Sequence, residues 1–352
     1  MDIRAGYQNQ EVRHHGKHHH HKHHHGHESS DRQGYGADTV TLNGQRYDDA
    51  DRKMQMMRRE IGSAQAPATE AVYGAAPAPK DGGQTVNIGT FNVEWLGSEN
   101  AGGLKARSDK DYKDMASVIK ASGADALGLE EVGTPEALDR LITYLPGYDY
   151  VIGTTGVREG GKAQRIAILY DSNKVQVDKS SMEEIKEVMI PEIAGEGRLR
   201  APVAVKMKSG DFDFTMVACH MKARFDEEAK EMRSAQAEKL NEWIDGKIKS
   251  GEKDIVVVGD FNDFLGSVPL KKMESRLYFV SQEAAERGEG TFIRRSSLID
   301  QIGATSVQGG AMDNFVKGSV SLPDIRPYPN YIKRISDHRP IVASFRSDVD
   351  NA

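Results

Sequence analysis

The sequence predicts a layered α/β body, sheets inside and helices outside, occupying residues 85 to 347 behind a polar leader. Three observations carry that reading. Composition changes sharply near residue 84. Beyond it, short β-branched or apolar runs alternate with amphipathic stretches at helical spacing. No run of ~18 apolar residues occurs, so no segment reads as a membrane span and no stable membrane insertion is expected.

The elements follow in chain order. Residues 14 to 27 read HHGKHHHHKHHHGH, and residues 62 to 83 are mostly Gly, Ala, Pro, Ser and Gln. Such segments bury too little apolar surface to offset chain entropy, so residues 1 to 84 are expected to be disordered. Within them, Asp48 to Ile61 reads as a short helix with Met54, Met57 and Ile61 on one face. Strands are expected at Val86–Asn92, Ala126–Glu130, Tyr148–Ile152, Ile166–Tyr170, Val203–Met207, Phe212–Cys219, Ile255–Gly259 and Ile341–Phe345. Ser209-Gly210 is a hairpin turn signal. One helix is expected from about Asp109 to Ala121, stopping at Gly123. A second starts at Thr134-Pro135, an N-cap followed by proline at the first helical position. The longest spans Asp226 to Lys249, where Met232, Gln236, Leu240, Trp243 and Ile244 recur at helical spacing. Residues 348 to 352 form a short tail.

The chain has 352 residues, 38% apolar and 28% charged, which suits a globular protein. Its net charge of −6 argues against gripping nucleic acid through a uniformly basic surface. A metal site needs carboxylates, however, and local arginines can still hold phosphates. Cys219 is the only cysteine, so no internal disulfide can form. The first thirty residues lack the apolar core of a signal peptide, so the expected location is the cytoplasm or a signal-independent export route. The histidine tract can chelate Zn²⁺, Ni²⁺ or Cu²⁺, a merely solubilising tract being the alternative. A long leader of this kind also fits a secreted toxin, with a delivery or inhibitor partner binding that segment.

Of 12 histidines, ten lie in the leader, which leaves His220 and His338 in the body. The strand before His220 would deliver His220, Lys222 and Arg224 to its end, on one face if the extended alternation continues. Two cations beside a histidine suit an anionic substrate; a basic surface loop is the plain alternative. Ile255–Val258 is a buried strand by composition, ending in Gly259-Asp260-Phe261-Asn262-Asp263. If the segment stays extended, Asp260 and Asn262 share a side and can hold a water and a phosphate oxygen together. Gly, Asp and Asn equally favour a plain turn. Ser336-Asp337-His338-Arg339-Pro340 stands directly before the last strand and supplies a carboxylate and an imidazole. Asp300 sits inside the apolar run Ser297–Ile302, and a buried acid needs a partner. A histidine held in one tautomer by that carboxylate is the obvious one. Asn92 and Glu94 are carried to the end of one strand, Glu130 and Glu131 to the end of another.

Taken in order, the six motifs TFNVE, LGLEEV, ACHMK, GDFND, SLIDQI and SDHRP resemble the endonuclease/exonuclease/phosphatase superfamily over about residues 85 to 346. The resemblance implies a four-layer α/β sandwich of two mainly antiparallel sheets flanked by helices, with the site at one end of the sheets. It implies Asn92 as a strand-end asparagine near metal and phosphate, and Glu131 as the principal metal ligand. It further implies Asp260 and Asn262 as the pair positioning water and phosphate, Asp300 and His338 as a buried acid–imidazole pair, and His220 as a phosphate contact. Asp337 corresponds to a further acid at the metal, and Glu94 stands where abasic-site enzymes often have aspartate. Glu130 stands where many relatives have glutamine. These two departures leave hydrolysis expected and the number of metals open.

The implied reaction is in-line attack of water on phosphorus with Mg²⁺, or Mn²⁺ or Ca²⁺ in its place, since hard oxygen donors suit these ions. Arg165, Arg200, Lys222 and Arg224 are candidate phosphate contacts, with a solvated surface arginine as the equal alternative for Arg165 and Arg200. The inositol phosphatases carry a Trp-Cys-Asp-Arg-like segment where this chain has Arg295-Ser296-Ser297-Leu298-Ile299-Asp300. The aromatic hairpins of sphingomyelinases find only a poor match in Tyr328 and Tyr331. Elimination favours a DNase-like nuclease. A phosphatase or phosphodiesterase acting on a lipid or small-molecule phosphate is the alternative. A non-catalytic binding protein with a relic site is the reading from another class, and every motif's retention of a chemically competent residue argues against it.

Overall fold

Runs of alternating and β-branched residues become strands, and the amphipathic stretches become helices packed on them. The computed structural model describes residues 39–42, 45–48, 84–102, 105–158, 162–190 and 199–349. Two units are distinguished, Met1–Ala64 and Gln65–Ala352. In the first, β1 (Thr39–Leu42) and β2 (Gln45–Asp48) form an antiparallel hairpin. Asp48, expected to open a short helix, closes a strand instead. Residues 49–61, the histidine tract and the rest of the leader up to residue 83 lie outside the described residues.

In the second unit the first strands are β3 (Thr85–Leu96), β4 (Ala126–Val132), β5 (Tyr148–Ile152), β6 (Arg165–Asp171) and β7 (Gln176–Glu184). They are followed by β8 (Val203–Ser209), β9 (Phe212–His220), β10 (Ile255–Asp260), β11 (Leu277–Phe279), β12 (Asp300–Thr305) and β13 (Ile341–Arg346). One sheet has the order β13-β3-β4-β6-β5, the other β11-β12-β10-β9-β8-β7. Each is antiparallel except for one pair, β3 with β4 and β9 with β10. Both exceptions have a cause in the chain. A parallel pair needs a long crossover, and helices α1 (Asp109–Ser122) and α3 (Glu227–Lys249) supply it, with α2 (Pro135–Ile142) following β4.

The stop at Gly123 and the starts at Thr134-Pro135 and Asp226 fall where the sequence placed them. Ser108 caps α1 in a capping box with Asp111, and Gly123 ends it in the left-handed region. Thr134 caps α2 ahead of Pro135, and Asp226 caps α3.

Three apolar layers hold the sandwich. Between the sheets lie Ile88, Ile168, Val205, Phe214, Val256, Val258 and Ile302. Outside the five-stranded sheet, Met115, Ile119, Leu138 and Leu141 pack on Leu127 and Leu129. Outside the six-stranded sheet, Leu240 and Ile244 of α3 cover Val217 and Val257. Each fully buried aliphatic side chain contributes about 1.5–3 kcal/mol. This is the expected layered sandwich, sheets inside and helices outside.

Beside the β1–β2 hairpin, three strands of the second unit were not expected. β7 is a polar edge strand, paired with β8 and largely solvated, so its sequence lacks an apolar run. β11 is three residues long. β12 is fully buried but begins Asp-Gln and contains Gly303, which masks its strand character.

Candidate active site

The parallel strands of both sheets end on the same side of the sandwich, and there the motif residues converge. β9, β10 and β12 lie side by side, with Asp260 in register with His220 on one flank and with Asp300 on the other. From the facing sheet, Asn92 of β3 donates through Nδ2 to Asp260 Oδ2 at 3.0 Å. His220 Nε2 lies 3.6 Å from that same oxygen, and His338 Nε2 3.9 Å from it. His338 Nδ1 is 2.8 Å from Asp300 Oδ2, so the buried acid and the histidine expected to be partners are partners. The loop carrying His338 is pinned by Ser336, whose hydroxyl donates to the Asn92 carbonyl at 2.6 Å and accepts from the His338 N–H at 2.9 Å.

The environment shifts the charges. Burial and the neighbouring Asp300 push Asp260 up to about 7. Burial would lower the His338 imidazole, but the Asp300 charge and hydrogen bond, helped by Asp260 and Asp337, outweigh it and lift it to about 10. His220 goes the other way. Burial and the positive charges of Arg200, His338 and Arg158 hold it well below the usual histidine value, so it is neutral. One imidazolium, one neutral imidazole and one readily protonated carboxylate therefore meet at a single oxygen.

Around this centre lie the candidate metal ligands. Glu131 Oε1 accepts from Asn92 Nδ2 at 3.4 Å. Glu94 Oε2 accepts from the Asp337 N–H at 2.9 Å, and Arg294 Nε donates to Asp337 at 3.0 Å. Burial, then the charge of Asp337, raises Glu94 to about 7, despite Arg107 and Arg294. An acid held up in this way by burial and a neighbouring carboxylate would be relieved by a divalent cation, and the hard oxygens of Glu94 and Asp337 fit one. Asp260, Asp300 and His338 form a tighter set, with one donor atom each within 4.8 Å of one another, and can also hold a metal. Because His338 Nδ1 is engaged by Asp300, we read that trio as an acid facing an acid–imidazole pair. Glu94, Glu131 and Asp337 do not converge as closely among the described residues.

Several expectations need correction. Asp260 and Asn262 do not share a side of an extended segment. Asn262 is left-handed, with φ 51°, and its N–H donates to Asp260 Oδ1 at 2.9 Å, while its Nδ2 donates to the Met221 carbonyl at 3.2 Å. The turn chemistry of Gly-Asp-Phe-Asn prevails, and the turn itself aims the pair. Nor does strand alternation carry on past His220. β9 ends there, Arg224 adopts φ 90° and is exposed, and His220 is buried. Arg224 thus does not share the face of His220. Glu94 lies in a bulge within β3 and not at its end. Arg165 donates to the Gly133 carbonyl. Arg200 is buried and donates to Gln164 Oε1 at 2.5 Å; burial lowers its guanidinium to about 10, against the pull of Glu131 and Asp260. Glu130 is fully buried between the sheets, accepts from Thr90 Oγ1 at 2.7 Å, and is raised well above the ordinary carboxylate value by burial and by Asp300.

Sequence reasoning missed four supports. Arg107 donates to the carbonyls of Val93, Glu94 and Ile335, tying the β3 bulge to the loop before His338. Arg233 on α3 donates to Asp263 at 2.8 Å and to the carbonyls of Lys222 and Arg224, tying the loops after β9 and β10 together. Both arginines are buried, and nothing in their local sequence separates them from surface arginines. Gln164 and Asp263 are the others; the latter lies inside a quoted motif but had no assigned task.

The pattern of the endonuclease/exonuclease/phosphatase family matches residues 89–338. No curated protein matches the chain by sequence. Among solved structures, the human Nocturnin catalytic domain with bound sulfate is similar, at 17% identity and TM-score 0.53, covering 76% of this chain and 99% of that one. TDP2 of D. rerio complexed with a single-strand DNA product is similar at 16% identity and TM-score 0.52, covering 74% and 98%. A mannosyl-6-phosphatase of Bacteroides thetaiotaomicron follows at 19% identity and TM-score 0.50, covering 73% and 98%. At these identities the likeness is one of fold.

Proposed function

The chain belongs to the endonuclease/exonuclease/phosphatase family, and from that premise we propose that it is a metal-dependent phosphodiesterase that cleaves nucleic acid, DNA foremost, by in-line attack of water. The observation that carries the reading is the convergence of Asn92, His220 and His338 on Asp260 Oδ2, with Asp300 behind His338. Asp260 orients the attacking water and accepts its proton; a carboxylate held near 7 is matched to that task at neutral pH. His338, kept protonated by Asp300, donates to a non-bridging phosphate oxygen as negative charge builds. Neutral His220, Asn92 and the Asn262 amide complete the cradle. Arg200 adds positive charge beside it.

Glu131, with Glu94 and Asp337, would hold the metal, Mg²⁺ being favoured by all-oxygen donors and Mn²⁺ or Ca²⁺ able to replace it. When bound, a divalent ion supplies Lewis-acid neutralisation of the phosphate.

The likeness to a DNA-product complex supports nucleic acid, and the likeness to a sugar phosphatase keeps a small phosphate ester as the second reading. The test is incubation with plasmid DNA, RNA and a panel of inositol and sugar phosphates. EDTA should stop DNA cleavage, and Mg²⁺ or Mn²⁺ should restore it. Intact DNA and RNA alongside phosphate release from the small esters would overturn the nuclease reading in favour of the second.

A further inference from the structure

Beside the centre, two arginines meet at one amide. Gln164 Oε1 accepts from Arg200 NH2 at 2.5 Å and from Arg158 NH2 at 3.4 Å. Gln164 and Arg200 are both 5% exposed, while Arg158 lies on the rim. The backbone around them is braced. The Gln164 N–H donates to the Gly156 carbonyl at 3.0 Å, the Ala201 N–H to Thr155 Oγ1 at 3.0 Å, and Thr155 Oγ1 to Glu184 at 2.9 Å. Bringing two guanidiniums together and burying one is unfavourable unless an anion compensates. Among the described residues no carboxylate closes an ion pair on Arg200. The atom at the meeting point is an amide oxygen, which orients both cations and leaves their charge in place. The positive field reaches the reaction centre: Arg158 and Arg200 both act on His220, and Arg200 interacts with Asp260 and Glu131. His220 Nδ1, fully buried, has no hydrogen-bond partner.

We propose that Gln164 is the positioning residue of a two-arginine anion subsite, formed with Arg158 and Arg200, that holds a second phosphate of the substrate next to the one hydrolysed. The proposal rests on the phosphodiesterase reading and adds that the substrate carries adjacent phosphates, as an oligonucleotide does.

Gln164→Glu separates this from a structural role. The carboxylate is the same size and would hold both arginines at least as well, so a merely structural Gln164 predicts an equal or higher Tm and unchanged anion binding. A subsite predicts the opposite for binding, because the new charge neutralises it. Titration calorimetry with inorganic phosphate, in EDTA, should show binding weakened at least about tenfold in Gln164→Glu, the order expected for one added negative charge close to the bound anion. With an oligonucleotide substrate, KM should rise more than kcat falls. Arg158→Ala should raise KM more for the oligonucleotide than for bis(p-nitrophenyl) phosphate, which has a single phosphate. The phosphate titration needs no turnover, so it decides the subsite even if DNA is not cleaved. Equal phosphate affinity in parent and Gln164→Glu, or equal effects of Arg158→Ala on both esters, would overturn the proposal.

Discussion

Replacing Asp300 by Asn tests the centre of the proposed mechanism with almost no change of shape. In the parent, Asp300 Oδ2 sits 2.8 Å from His338 Nδ1 and the imidazole is held at about 10. It is therefore protonated throughout the neutral range. Without that charge, burial acts with less opposition, and the imidazole falls to or below its ordinary value of about 6.5. At pH 7.5 the charged fraction then drops from nearly all to about a tenth or less. The amide also ceases to favour one ring orientation. Combining lost charge with lost alignment, kcat should fall by at least ~10² at pH 7.5. The assay is turnover of a supercoiled plasmid at saturating Mg²⁺ between pH 6 and 8.5, with Tm recorded on the same samples and the imidazole followed by NMR. The ratio of parent to variant should shrink toward pH 6, where the variant's imidazole regains its proton. If Asp300→Asn melts earlier yet keeps normal kcat per folded molecule, Asp300 is a core acid and the reasoning fails.

Four further outcomes are expected. Asp260→Asn should lower kcat by at least ~10² while remaining folded, as measured by turnover and circular dichroism. Glu131→Gln should raise the Mg²⁺ concentration for half-maximal rate more than it lowers the rate at saturation, because a ligand charge is lost. A chain beginning at Gly83 should match the full chain in activity per molecule, since every motif lies beyond that point; an inactive but folded product would reverse this. Finally, His338 is raised in the fold from about 6.5 to about 10, so its stabilising contribution is complete below pH ~6.5 and disappears as pH rises through about 10. Urea denaturation in EDTA should show the parent's advantage over His338→Gln shrinking from pH 6 to pH 10, and a constant difference would count against the ion pair.

The fold was largely legible because its determinants are local. Gly123, Thr134-Pro135 and Asp226 mark helix ends by capping chemistry that acts within a few residues, and the β-branched runs of β10 and β13 admit little else. β12 was missed because its strand character comes from being sandwiched between β10 and β11, a tertiary fact. The site was legible in its residues and not in its directions. A buried acid in an apolar run demands a partner, which pointed from Asp300 to a histidine, and the family resemblance singled out His338. Arg233, Arg107 and Gln164 could not be found, since what distinguishes them is which distant carbonyls and guanidiniums they touch.

The directions depend on broken alternation. Asn92 and Glu130 are register partners on neighbouring strands, so they share a face, and that face looks across to Asp260. An unbroken β3 would aim Glu94 the same way as Asn92, crowding a third acid beside Asp260 and Glu130. Instead, register shifts between Asn92 and Leu96; Glu94 and Trp95 adopt φ 44° and 56°, and Glu94 turns to the Asp337 N–H. On β4 the opposite problem arises. Alternation would send Glu131 to the helical face, away from Glu130. A second register shift between Leu129 and Val132, with Glu131 at φ 64°, brings it back to within 3.4 Å of Asn92 Nδ2. Left-handed backbone at a non-glycine residue costs on the order of 1–3 kcal/mol. Candidate-site residues Glu94, Glu131 and Asn262 all adopt it, alongside residues outside the centre such as Ile190 and Ser296. At the first two, the strain re-aims acids that regular strands would have misplaced, leaving Glu94 with the Asp337 N–H and Glu131 with Asn92 on the flank of Asp260. A sequence pattern read at period two places these same residues on the wrong faces, which is why their chemistry could be named before their geometry.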